Sequence, residues 1–184
     1  NMSKILIVSG HPNLAESTAN KTALEAVKAR FGDAVTVREL DKTRVNGKFD
    51  IAAEQKALVE HDVLVLQFPV FWYSVPSLLK QWIDDVFESG FAYGTDGTSL
   101  QGKKFRLSAT AGAAEDIYQN MLPSELPPAF ADYANTAAFT GMQLLEPLFS
   151  YGTTSDPGNT EAVHAIGVEH GKKLIAVLET LQQG

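Results

Sequence analysis

Apolar residues fill two short segments of the chain almost completely, at positions 4–9 and 63–68. Runs of this kind are typical of strands that are buried on both faces of a parallel sheet. Segment 35–40 instead alternates apolar and polar residues, which predicts a half-exposed strand at a sheet edge. Segments 104–110 and 142–151 predict a fourth and a fifth strand. The pattern therefore predicts five strands, and the first and third are the most deeply buried.

Residues with helical spacing fill intervals between the predicted strands. The clearest case follows the third strand, where apolar residues recur at steps of three and four: Val75, Leu78, Leu79, Trp82, Ile83, Val86 and Phe87. This spacing predicts a helix with one core-facing stripe. Ser74 is its candidate N-cap, and Pro76 is expected in its first turn.

The other intervals carry weaker patterns. In the first half of the chain they predict a helix that ends at Phe31 and Gly32, a polar loop at 41–49 and a short helix capped by Asp50. In the second half they predict an irregular or partly helical segment at 111–128, a helix at 129–140 and a last helix that starts at Asp156-Pro157. The apolar stripe of the last helix includes His170, which we expect to be a hydrogen-bonded histidine in or near the core.

Strands that alternate with helices predict an α/β fold with a doubly wound parallel sheet, in a single domain over 1–184. The second strand has edge character, and so does the fifth, because its Pro147 is tolerated only at an edge or a bulge. Both sit at edges in the order 2-1-3-4-5, which is the flavodoxin-like order. In that order the loops after strands one, three and four meet at one crevice, where ligands bind in such sheets.

Composition narrows the possible functions. The 184 residues include no cysteine, which excludes disulfides, thiol nucleophiles and cysteine-ligated metals. The net charge of −7 argues against general nucleic-acid binding. The sequence contains no long apolar span, and His164 and His170 are spaced poorly for a shared metal ion. We therefore expect a cytoplasmic protein without a metal centre.

The loop after the first strand combines short polar side chains with the start of a helix. Ser17, Thr18 and Asn20 are potential donors, and His11 adds a ring N–H. Free backbone N–H groups and the positive end of the helix dipole favour a phosphate at such a position. The alternative is an ordinary helix cap without a ligand.

Two further loops suggest what the rest of the ligand is. Phe71, Trp72 and Tyr73 follow the third strand and form a potential wall for a flat conjugated ring, with core or interface packing as the alternative. The small residues at 110–113 follow the fourth strand and allow close approach of the backbone. A loop that favours a phosphate, a loop of aromatic residues and a loop of small residues that a ligand can approach would meet in one crevice. Together they suit FMN, which carries both a phosphate and a flat conjugated ring. FMN is favoured over FAD because we find no adenosine site.

One long motif identifies a family. The run 69–76, with Leu79, Trp82 and the Gly-Phe-Ala-Tyr-Gly sequence at 90–94, resembles the flavodoxin-like NAD(P)H:quinone oxidoreductases. The chain is most similar to their short bacterial branch, which includes the ancillary reductases of glutathione-regulated potassium efflux systems. The resemblance implies a flavodoxin-like fold, a tightly bound flavin, a homodimer and ping-pong hydride transfer.

The resemblance also implies site residues. It carries phosphate contacts onto His11, Ser17, Thr18, Ala19 and Asn20, and ring contacts onto Pro69, Val70, Phe71, Trp72, Tyr73, Thr110, Ala111, Gly112 and Ala113. Tyr118 matches a tyrosine that borders the flavin in animal members and helps to accommodate charge in the reduced ring. Two matches fail. Alanines replace a threonine and a glycine at 111 and 113, and Ser124 replaces the histidine that partners the tyrosine.

We therefore predict a reductase that transfers two electrons from NADH or NADPH through FMN to a quinone or similar small acceptor. A flavodoxin-type one-electron carrier is the first alternative. A regulatory subunit of a potassium efflux channel is the second. A homodimer is expected from the family and from the apolar residues Phe130, Tyr133 and Phe139 of one predicted helix.

Overall fold

The computed structural model describes residues 1–154 and 156–184, and a parallel sheet forms its centre. The strands are β1 (Ile5–Ser9), β2 (Val35–Glu39), β3 (Val63–Pro69), β4 (Lys104–Thr110), β5 (Gln143–Leu144) and β6 (Leu148–Ser150). They run in the order β2-β1-β3-β4-β5, and β6 also pairs with β4. The predicted doubly wound sheet and its order 2-1-3-4-5 are thus confirmed.

The predicted fifth strand is interrupted. β5 pairs with Lys104 and Phe105, whereas β6 pairs with the last three residues of β4. Leu145, Glu146 and Pro147 lie between the two pieces, and Pro147 has no N–H with which to continue the ladder. A continuous strand over 142–151 was therefore a wrong prediction, while the edge position that Pro147 indicated for this segment is confirmed.

The described chain has seven α-helices: α1 (Ala19–Phe31), α2 (Leu40–Thr43), α3 (Ile51–Val59), α4 (Ser77–Val86), α5 (Glu115–Asn120), α6 (Phe130–Thr140) and α7 (Thr160–Gln182). The Asp50 side chain accepts a 3.1 Å hydrogen bond from the N–H of Ala53, as an N-cap does. The capped short helix is therefore confirmed.

Three helix boundaries differ from the predictions. Ser74 does not cap α4, because it belongs to a tight turn with Phe71 and Pro76 occupies the N-cap position of the helix. The first residues of the predicted polar loop form the short helix α2. The last helix starts at Thr160, because a turn closed by the Asn159 N–H and the Asp156 carbonyl precedes it.

Core residues form one cluster on each face of the sheet. Alternate residues of β1 point to opposite faces, so that Ile5 and Ile7 face α1 and α7, while Leu6 and Val8 face α3 and α4. The side chains of β1 from Ile5 to Val8 are all fully buried. Burial on both faces is the reason that the central strands have continuous apolar sequences.

Helix α7 packs against α1 and places His170 in the core. The His170 side chain is 0% exposed and hydrogen-bonded on both ring nitrogens, which confirms the prediction of a core histidine. No helix in the described residues is long and apolar enough to cross a membrane.

Candidate functional site

A cavity of about 240 Å³ opens at the carboxyl end of the parallel strands. The loops after β1, β3 and β4 meet here, together with one residue of α7 and one of the segment before it. The lining residues are His11, Glu16, Ser17, Thr18, Ala19, Asn20, Pro69, Val70, Phe71, Thr110, Gly112, Thr153 and Val163. Ten of the predicted cofactor-binding residues are among them. We call this cavity the strand-end crevice.

The start of α1 presents donors to the strand-end crevice. The Ser17 hydroxyl oxygen accepts a 3.0 Å hydrogen bond from the N–H of Asn20. The N–H groups of Thr18 and Ala19 have no hydrogen-bond partner in the described residues, as is usual in a first helical turn. This turn also carries the positive end of the helix dipole. The site therefore suits an anion.

His11 is held in one tautomer at the same position. Its Nδ1 accepts a 2.9 Å hydrogen bond from the N–H of Asn13, so the proton of the neutral ring is on Nε2. Burial lowers the pKa of His11 from its ordinary value, against an opposing effect of Asp41. The ring is therefore neutral near pH 7 and offers one N–H donor.

The charges around the strand-end crevice are unusual for an anion site. Glu16 lines the cavity, and no lysine or arginine is among its lining residues. Attraction for an anion must come from hydroxyls, backbone N–H groups and the dipole of α1.

The turn at 71–74 has a strained backbone. Phe71 and Ser74 exchange two hydrogen bonds of 3.0 Å, and the residues between them have positive φ, 47° for Trp72 and 64° for Tyr73. Two such residues in succession form a type I′ turn, which normally requires asparagine or glycine. The N–H groups of Trp72 and Tyr73 have no partner in the described chain. They are available to a ligand.

The turn at 71–74, which we call the tight turn, directs its three aromatic side chains to different places. Phe71 lines the strand-end crevice, Tyr73 lines a second cavity, and Trp72 is 92% exposed. The expected single aromatic wall is therefore not formed by these three side chains. A 3.1 Å hydrogen bond from the N–H of Ala129 to the Tyr73 carbonyl joins the turn to the start of α6.

The loop after β4 approaches its neighbours closely. A Cβ on Gly112 would lie 2.7 Å from the Thr154 hydroxyl, so any larger residue here would require the Thr154 side chain to move. Ala111 is fully buried and contributes no lining, and Ala113 also lies outside the lining. The N–H groups of Gly112 and Ala113 have no partner among the described residues.

The sequence patterns missed a buried polar network behind the strand-end crevice. It contains Gln67 and Ser108 of the central strands, His170 of α7 and Ser150 of β6, and it reaches Asn20 and Thr110 in the crevice. A glutamine and a serine in otherwise apolar strands were its visible signal, because buried polar side chains need partners.

Tyr118 lies in the second cavity, which has a volume of about 460 Å³. Its ring meets Tyr73 edge-on at 6.4 Å and Tyr151 at 5.5 Å. The remaining lining includes Ser124 and is otherwise mostly apolar: Leu122, Pro123, Leu126, Pro127, Pro128, Ala129, Phe130, Ala131 and Asp132. We call this space the aromatic cavity. The tight turn stands between the two cavities, because Phe71 lines one and Tyr73 the other.

The apolar residues of α6 do not form one outward face. Tyr133 is buried against Phe105 at 6.2 Å, and burial raises its pKa. Phe139 points outward, is 71% exposed and packs beside Tyr93. Of the three residues that motivated the homodimer prediction, Tyr133 is therefore not accessible to a partner chain, and the homodimer itself stays a prediction. No group of three potential metal ligands occurs in the described residues.

Comparison with known proteins agrees with this geometry. Residues 3–174 match the model of a protein family with a flavodoxin-like fold. YrkL of Bacillus subtilis (strain 168), named an uncharacterized NAD(P)H oxidoreductase, is 42% identical over 155 residues, which are 82% of this chain and 86% of YrkL.

Two solved structures extend the comparison. General stress protein 14 of Treponema denticola in complex with FMN superposes with a TM-score of 0.85 at 34% identity, over 97% of this chain and 99% of that one. An NADPH-quinone reductase of P. pentosaceus superposes with a TM-score of 0.74 at 26% identity, over 92% and 96% of the two chains.

Proposed function

The chain belongs to the flavodoxin-like family that includes NAD(P)H oxidoreductases, and from this premise we propose that it is an FMN-dependent NAD(P)H:quinone reductase. The observation that carries the proposal is the convergence of the three strand-end loops on one crevice lined with donors. The FMN complex of the Treponema denticola relative supports the choice of cofactor.

The residues of the strand-end crevice fit the phosphate end of FMN. The Ser17 and Thr18 hydroxyls, the N–H groups of Thr18 and Ala19 and the Nε2–H of His11 would hold the phosphate. All of these are neutral donors, and they gain strength from the dipole of α1. The site needs no cation for this role.

The flavin ring would lie between the tight turn and the loop after β4. Pro69, Val70, Phe71, Thr110 and Gly112 provide the walls. The unpartnered N–H groups of Trp72, Tyr73, Gly112 and Ala113 would bind the polar ring edge. When bound, FMN supplies the chemistry by accepting a hydride from NAD(P)H and passing it to the acceptor.

The aromatic cavity is the proposed place for the nicotinamide and for the acceptor. Its aromatic and proline lining suits flat apolar molecules such as quinones. One shared cavity would favour ping-pong exchange, since NAD(P)⁺ would have to leave before a quinone enters. The Tyr118 ring would orient either molecule. The NADPH-quinone reductase of P. pentosaceus supports a quinone as acceptor.

A homodimer in the cytoplasm completes the proposal. Two apolar side chains that line the aromatic cavity, Leu126 and Tyr73, are 50% and 54% exposed. A second copy that packs here would bury these side chains and close the cavity. Sedimentation of the FMN-loaded protein at micromolar concentration should show a dimer, and a monomer would contradict this part of the proposal.

One set of measurements tests the function. The protein loaded with FMN should oxidise NADH or NADPH anaerobically and should then transfer the electrons to a benzoquinone. Thr18→Val, which removes one proposed phosphate donor, should weaken FMN binding, while Thr180→Val at the distant end of α7 serves as its control. Bound FMN without oxidation of either nucleotide would instead favour a flavodoxin-type carrier. Failure to bind any flavin would overturn the whole proposal.

A further inference from the structure

A continuous chain of hydrogen bonds joins α7 to the strand-end crevice. His170 lies 2.7 Å from the Ser150 hydroxyl at Nδ1 and 2.8 Å from the Ser108 hydroxyl at Nε2. Ser108 donates to the Gln67 carbonyl oxygen at 2.6 Å. The Gln67 amide then donates to Asn20 at 2.9 Å.

The chain ends at the crevice. The Asn20 amide donates to the Thr110 hydroxyl oxygen at 2.9 Å, and both residues line the cavity. Every member is buried, from 0% exposure for Gln67, Ser108 and His170 to 8% for Ser150. Water therefore has little access to the groups that link the helix to the cavity.

The hydrogen bonds in this chain all run in one direction. Ser108 uses its only proton to reach Gln67, so it must accept from His170, which requires the proton on Nε2. Nδ1 then accepts from Ser150. Burial, and secondarily the charge of Lys173, lower the pKa of His170 to about 4, which keeps the ring neutral at pH 7.

We propose that His170 is a positioning residue that, through Ser108, Gln67 and Asn20, makes Thr110 a hydrogen-bond donor to the ligand in the strand-end crevice. Because Thr110 accepts from Asn20 inside the protein, its own proton is left for an acceptor atom in the cavity. This inference rests on the proposed function, because the ligand that would accept the Thr110 proton is FMN.

The opposite arrangement makes a different prediction. If His170 carried its proton on Nδ1 and both amides were reversed, all of these groups would still be hydrogen-bonded. Thr110 would then donate to Asn20 and present only lone pairs to the cavity. The tautomer of His170 therefore reports which kind of ligand atom the site selects.

The first test needs no cofactor. ¹⁵N–¹H correlation spectra of the flavin-free protein at pH 7 distinguish the two neutral tautomers of a histidine ring. We expect the Nε2–H form for His170. The Nδ1–H form would overturn the proposed direction of the chain, whatever the protein binds.

The second test compares two substitutions of His170. Gln places an amide N–H near the position of Nε2 and can keep the link to Ser108, whereas Leu removes it. We expect His170→Leu to weaken FMN binding about tenfold, the effect of one lost hydrogen bond, and to shift the flavin reduction potential. His170→Gln should stay within about threefold of the parent.

Leu174→Ala, one turn along α7, is the matched control, because it removes a buried side chain without touching the chain of hydrogen bonds. It should lower the melting temperature and leave both FMN affinity and the reduction potential unchanged. Equal weakening by Leu174→Ala and His170→Leu would show a general loss of structure and overturn the proposal. If the parent protein bound no FMN, the proposed function would fail and donation to FMN with it, while the tautomer would still decide the direction of the chain.

Discussion

Gly167 of α7 lies so close to Ala19 of α1 that a Cβ on the glycine would stand 2.9 Å from both the Cα and the carbonyl oxygen of Ala19. Ala19 belongs to the turn that offers its N–H to the strand-end crevice. Close packing of α7 against α1 therefore fixes the position of the proposed phosphate donors. Gly171, one turn further on, is less tightly enclosed, with its nearest contacts at 3.3 Å.

This contact predicts different effects of two similar substitutions. Gly167→Ala forces a methyl group against backbone, which has little freedom to move, and should destabilise the protein by about 1–3 kcal/mol and weaken FMN binding. Gly171→Ala meets a milder contact, and the gain in helix propensity of about 1 kcal/mol offsets it. Urea unfolding and FMN titration of both variants check this, and equal FMN affinities would show that α7 does not position α1.

Glu16 gives a prediction about charge. Glu16 lines the cavity that holds the proposed phosphate site, and its negative charge should repel a bound phosphate. Glu16→Gln should therefore tighten FMN binding about two- to fivefold at low ionic strength, and the gain should shrink as salt screens the charges. Glu25→Gln on an exposed part of α1 keeps the change in net charge and should have no effect. An unchanged affinity in Glu16→Gln would place the phosphate elsewhere.

The sequence predicted the sheet well because the sheet depends on local patterns. The fully apolar β1 and β3 and the alternating β2 follow directly from burial on two faces or on one. The meeting of the strand-end loops then follows from the strand order alone. The same argument brought His11 and Thr110 together, although they are far apart in the chain.

The buried network could not be predicted in the same way. Gln67 and His170 are 103 residues apart, and the packing of α7 on α1, β1 and β6 brings His170 within reach of the central strands. The tight turn could not be predicted from the sequence either, because Trp72 and Tyr73 occupy backbone positions that usually require glycine or asparagine. Tertiary contacts, such as the hydrogen bond from Ala129 to Tyr73, hold this conformation against its local preference.

Strain in the tight turn predicts a variant that is more stable than the parent. Trp72 is 92% exposed and loses few contacts when it is replaced, whereas asparagine adopts positive φ more readily. Trp72→Asn should raise the free energy of unfolding by about 1 kcal/mol. Trp72→Phe keeps both the strain and an aromatic ring and should leave stability unchanged. Urea unfolding of the two variants and the parent protein measures these changes in stability. A loss of stability in Trp72→Asn would mean that the indole makes a stabilising contact.

The pKa of His170 predicts a loss of stability in weak acid. The pKa of a histidine in the unfolded chain is 6.5, and burial lowers that of His170 to about 4 in the folded protein. Between these values the unfolded chain binds the proton and the folded protein does not, so the free energy of unfolding must fall as the pH falls. The full loss from this group is on the order of 3 kcal/mol and is complete below pH 4.

Comparing the pH dependence of stability of the parent protein with that of His170→Gln isolates the contribution of His170. Burial lowers the pKa of His11 as well, so the parent protein also loses stability through that ring in the same direction. His170→Gln has no group that titrates at this position but keeps His11. Its free energy of unfolding should therefore fall less steeply than that of the parent between pH 6.5 and pH 4, when both are measured by urea unfolding. Parallel curves would mean that the folded protein accommodates a charged His170, and the hydrogen bond at Nδ1 would then have to reverse so that Ser150 accepts it.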